Sequence, residues 1–86
     1  MSMIEKYTER YTMYYIQHEY IYGWDFLSEG LKNESFATLA QAKKEIKDLI
    51  ETTEEAVRVG HMEDAFTADE LRVIKITNIK TTEVIK

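Results

Sequence analysis

The segment Thr38-Leu39-Ala40-Gln41-Ala42-Lys43-Lys44-Glu45-Ile46-Lys47-Asp48-Leu49-Ile50 decides the fold class, because it carries helical periodicity in a chain whose flanks are rich in β-forming residues. Thr38 and Gln41 have capping-box spacing: the hydroxyl accepts from a first-turn amide while the glutamine reaches back to the cap's own N–H. Leu39, Ala42, Ile46, Leu49 and Ile50 recur three and four apart, with Lys43, Lys44, Lys47 and Glu51 on the other faces. That spacing predicts an amphipathic helix with one core stripe. Thr52-Thr53 lowers helix propensity, but Ala56 and Val57 carry the stripe on towards Gly60, a natural C-terminal cap. The reading is one helix from Leu39 to about Val59.

Upstream, Tyr11 to Tyr20 is aromatic and β-branched and reads as a strand, with Tyr14, Ile16, His18 and Tyr20 on one face and Tyr11, Met13, Tyr15 and Gln17 on the other. Gly23 supplies a turn and Trp24 to Ser28 a returning strand. Residues Met1 to Arg10 show no period and read as a frayed lead-in or a short helical turn. Gly30 to Ser35 form a polar connection. Beyond the helix, Gly60 to Glu70 read as a connection anchored by Phe66, with a turn of helix around Met62-Phe66. Leu71 to Thr77 is β-branched and reads as a central strand. Asn78 then turns the chain, and Ile79 to Ile85 returns as an edge strand guarded by Lys80 and Lys86. The expected architecture is a single α+β domain over residues 1–86. It comprises a small antiparallel sheet in the order β-β-α-β, a further C-terminal strand as an option, and the long helix on one face.

The 86 residues limit the chain to one modest core, and 44% apolar with 31% charged residues and no proline is the composition of a folding chain. Cysteine is absent, which removes disulfides and thiolate metal sites and fits a reducing compartment. The N-terminal residues lack the apolar core of a signal peptide, and no run approaches a membrane span, so a cytoplasmic location is expected. From Glu45 to Glu70 nine acids face only Lys47 and Arg58, a net −7, so the rest of the chain carries +2 of the overall −5. Such a block opposes phosphate backbones, making nucleic acid an unfavourable partner, and suits a protein with a basic surface.

Motifs for catalysis are missing. His18 and His61 lie in different elements without metal-ligand spacing, the serines sit in no nucleophile elbow, and the three glycines are too far apart for a nucleotide loop. No cofactor or metal is expected. A catalytic centre assembled across the fold would be marked by a deep polar pocket holding His18 or His61 beside a carboxylate. The concentration of six tyrosines and Trp24 between Tyr7 and Trp24 is the unusual feature. One helix covers one sheet face, so one tyrosine set must meet water or a partner, and Tyr and Trp are enriched in interface hot spots. The candidate binding residues are therefore Glu51, Glu54, Glu55, Glu63 and Asp64 for steering, and Tyr11, Tyr15, Tyr22 and Trp24 for contact area.

The pattern Trp24-x-x-Leu27-Ser28, Phe36-Ala37-Thr38-Leu39-Ala40-Gln41-Ala42-Lys43 and Glu70-Leu71-Arg72-Val73-Ile74-Lys75 resembles small orphan proteins encoded by bacteriophages and prophages. The resemblance implies a compact, non-enzymatic accessory protein that binds and blocks a host protein, defence systems included. It carries over no catalytic residue. The acidic stretch between helix and last strand departs from that pattern. The alternative is a small nucleic-acid-binding or regulatory protein that forms a homodimer through its exposed aromatic face.

Overall fold

The computed structural model describes residues 4–27, 30, 31 and 33–85. Strand β1 (Ile4–Tyr20), strand β2 (Gly23–Phe26), helix α1 (Leu39–Arg58), a 3-10 turn (Ala68–Glu70) and strand β3 (Leu71–Ile85) follow in that order. The fold is α+β: an antiparallel sheet in the order β2-β1-β3 with one 20-residue helix.

The helix forms where its pattern places it. Thr38 is the N-cap, its hydroxyl accepting from the Gln41 amide at 3.2 Å. At the other end the Gly60 amide donates to Val57 and the His61 amide to Ala56 at 2.8 Å, a Schellman closure that Gly60 permits with φ +83°. Ala42, Leu49 and Thr53 are the buried stripe, with Ile46 and Ile50 packed beside it, whereas Leu39 is exposed. They close on Ile16, Leu27, Phe36 and Leu71, and this cluster is the core.

Four expectations are corrected. Residues 4–10 are neither frayed nor helical but belong to β1, paired along their length with β3 from Ile4↔Ile85 onward; residues 1–3 lie outside the described residues. Asn78 does not turn the chain: it sits opposite Tyr11 in a β3 that runs unbroken to Ile85, so no separate Ile79–Ile85 strand exists. The central strand is β1, not the Leu71–Thr77 segment, because β1 takes β2 on one edge and β3 on the other. The turn of helix is likewise displaced from Met62–Phe66 to Ala68–Glu70. The returning strand closes at Phe26, and its expected end, Ser28, lies outside the described residues.

The edges of β1 divide the molecule. From Tyr14 to His18 both edges are occupied: Tyr14 exchanges two backbone bonds of 2.9 Å with Phe36, Leu27 donates to Ile16, and Gln17 and His18 pair with β2 on one edge and β3 on the other. From Ile4 to Thr12 β1 pairs with β3 alone. Ile4–Thr12 with Thr77–Ile85 is thus a two-stranded arm projecting from a helix-covered body, and the chain extends 71 × 25 × 18 Å. Its radius of gyration is 19.0 Å, against about 12 Å for a compact chain of this length.

Candidate binding surfaces

Directly paired residues share a sheet face, so the register assigns every side chain. On the helix side lie Tyr14, Ile16, His18 and Tyr20, continued along the arm by Thr12, Arg10, Thr8 and Lys6. The open side carries Tyr7, Tyr11, Met13 and Tyr15, with Ile74 and Ile76 on β3 and Trp24 and Phe26 on β2.

At the hairpin end of the helix side, a cleft of about 460 Å³ opens between β1, α1 and the loop before β3, lined by His18, Tyr20, Leu27, Leu49, Met62 and Phe66 with Gly30, Thr52 and Thr53. Thr53 builds it. Buried in α1, its hydroxyl donates to the Leu49 carbonyl at 2.9 Å and accepts the Phe66 amide at 3.1 Å, pinning the loop to the helix. The Phe66 ring then stands edge-on to His18, 5.0 Å away, and His18 is edge-on to Tyr20 at 4.6 Å. Tyr22 stacks on Tyr20 at 5.3 Å and donates to Asp25.

Beyond His18, Glu70 lines an adjoining depression. Its carboxylate accepts from the Thr67 hydroxyl at 2.7 Å and lies 3.1 Å from His18 Nε2. These bonds, Thr67 first and His18 second, hold its pKa below the usual glutamate value. A carboxylate only accepts, so His18 donates to it from Nε2, and among the described residues its buried Nδ1 has no hydrogen-bond partner. The pair meets one condition for a catalytic centre, a histidine beside a carboxylate, but the cleft around it is lined mainly by apolar side chains, which suits an apolar guest. His61 lies apart, exposed in the helix cap. Among the described residues no three His, Asp or Glu gather to hold a metal ion, and no helix is long and apolar enough to cross a membrane.

The acids flank this cleft unequally. Glu45, Asp48 and Glu51 line an adjoining depression that shares Gly30, Leu49 and Thr52 with it. Asp64 and Glu70 line another sharing His18, Met62 and Phe66. Glu51 and Asp64 therefore adjoin the cleft through different lining residues. Glu55 is bound to Arg58, Nε to Oε2 at 2.9 Å, which lowers its pKa. Glu54 is turned about 160° around α1 from Thr52 at ~100° per residue, away from the cleft. Glu63 is exposed in the loop. Sequence reasoning missed part of the cleft's lining, since neither Thr53 nor Met62 carries a local signal of its role.

Compared with known proteins, the chain matches no family model, no curated protein and no solved structure.

The aromatic candidates split. Tyr22 belongs to the cleft side, through Tyr20. Tyr11, Tyr15 and Trp24 are on the open face, across the sheet from α1, so the acids and these aromatics form two surfaces and not one. There Tyr15 packs edge-on against Phe26 at 5.6 Å, and the Arg72 guanidinium lies 4.2 Å over Trp24 while its Nε donates to Gln17 at 2.8 Å. Tyr11 donates to Glu9 in the arm, which raises its pKa.

Proposed function

We propose that this chain is a non-enzymatic protein-binding module that takes a basic segment of a partner, apolar anchor first, into the acid-flanked cleft. The observation that carries the reading is an apolar receptor of about 460 Å³ flanked by one depression that holds Glu51 and another that holds Asp64. Flanking acids steer a cationic partner and fix its register, while burial of an apolar anchor supplies the affinity. Together with the phage resemblance, this favours a stoichiometric blocker of a host protein, defence proteins included.

The test is capture from bacterial lysate by the wild type, by Met62→Asp, which puts a charge in the cleft, and by Glu51→Lys/Asp64→Lys, which reverses both acids. One protein is expected with the wild type, lost with the first variant and weakened with the second, its retention falling as salt rises. Equal capture by all three would refute the reading.

A second reading has one observation in its favour. The helix-side face of the arm presents Lys6 and Arg10 among threonines, with Glu83 3.4 Å from Lys6 and Lys75 just beyond the arm opposite Tyr14, and a two-stranded ribbon fits the major groove of DNA. Fluorescence anisotropy with duplex DNA decides it: binding that vanishes in Arg10→Glu supports this reading, and no binding at physiological salt rejects it.

A further inference from the structure

The open face is as long as β1 and lies across the sheet from the cleft, so both surfaces can be occupied at once. Its arm half shows Tyr7 at 49% and Tyr11 at 46% exposure, and its body half shows Phe26 at 50% beside Met13, Tyr15, Ile74 and Ile76. A two-stranded ribbon is marginal without a cover on one face, and β1–β3 supplies such a ribbon for nine successive pairs, Ile4↔Ile85 to Thr12↔Thr77.

We infer that the cover is a second copy of this chain, packed open face to open face and antiparallel about a two-fold axis at the Tyr11↔Asn78 pair. Three features select this occupant. The first is shape: the operation carries Tyr7 to the level of Tyr15 in the other copy, where Tyr15, Phe26, Leu27, Glu34 and Ile76 line a cleft of about 370 Å³ able to receive a phenol ring. Charge is the second: Glu5, near the arm's tip, is carried to the level of Gln17↔Arg72, so each copy sets an acid against the other's guanidinium at both ends of the contact. The third is area. From Glu5 to Gln17 the face is ~40 Å long and, with overhanging side chains, ~14 Å wide, so roughly 550 Å² on each copy and ~1,100 Å² in all is covered, just above the ~1,000 Å² expected of a specific interface. An arm alone offers too little area, and the symmetric arrangement lets each arm cover the other copy's body.

Sedimentation velocity across a concentration series tests the arrangement. The wild type should move from the 10.2 kDa chain mass to twice that value. Tyr11→Lys, exposed in the monomer and self-facing on the axis, should weaken association by about 100-fold or more while the far-ultraviolet circular dichroism stays unchanged. Glu5→Arg and Arg72→Glu should each weaken it, and combining the two should restore it. A wild type that stays monomeric at every concentration, a dimer indifferent to Tyr11→Lys, as pairing through the β3 edge would give, or a double variant as weak as the singles would each overturn the inference.

Discussion

The body and the arm use the same two strands and differ in what surrounds them. In the body, β1 has neighbours on both edges and a helix on one face, and Ile16 is 1% exposed. In the arm, the same strands have only each other, and Ile79 is 64% exposed. Backbone pairing is continuous across the boundary near Thr12, so the difference is one of side-chain burial and not of secondary structure. A strand's hydrogen bonds locate it, and its cover holds it there.

Matched substitutions on either side of the boundary can break that contrast. The largest effect is expected from Ile16→Ala, about 2–5 kcal/mol of unfolding free energy from lost transfer and a residual cavity. Ile79→Ala on the same sheet face should stay within about 0.5 kcal/mol. Urea denaturation measures both, and an equal cost would mean that the arm is covered on its helix side.

A smaller loss, about 1–2 kcal/mol, is expected for Thr53→Val, which keeps the shape but leaves the Phe66 amide without its acceptor. Hydrogen exchange at Phe66 should accelerate in this variant. In the arm, Thr81→Val should be near neutral, because its hydroxyl is in an exposed position.

The smallest effect concerns pH. Glu70 has a lowered folded pKa, so its contribution is present above its unfolded value and is lost as the pH falls below about 4.5 through the folded value. Its side chain is 41% exposed, and solvent screens the effect. Glu70→Gln should be slightly less stable than the wild type at neutral pH, and the gap should close as the pH falls through the folded value of Glu70, as read by thermal unfolding. A constant difference as the pH falls would remove the carboxylate's role in fastening His18 and Thr67.

The same contrast explains what the sequence revealed. Thr38, Gln41 and the Ala42–Ile46–Leu49 spacing act within one helix, so α1 was readable with its Gly60 stop, and Tyr11 to Tyr20 carried enough aromatic character to read as a strand. Ile4 to Arg10 were opaque because no element of their own chain covers either face of the ribbon, so no alternation of apolar and polar residues marks it. What makes that segment a strand is a partner about 70 to 80 positions away. Asn78 read as a turn for the same reason, its pairing with Tyr11 being invisible locally. The acids and the aromatics were found, but their separation by the sheet depends on register, and Thr53 read as a weak helix residue when it is the fastener between helix and loop.

The β1–β3 register also sets an order of assembly. At the body end, His18 meets Leu71 across 53 positions, and at the arm's tip Ile4 meets Ile85 across 81. Loop-closure entropy grows only logarithmically with length, so the costly event is the first closure, which the hairpin and α1 can reward with burial of Ile16 and Leu71. Each later pair is then a local step of a zipper running outward from the body. Arm contacts form after the rate-limiting step, so substitutions there should register in the rate at which the protein comes apart and leave the rate at which it folds unchanged.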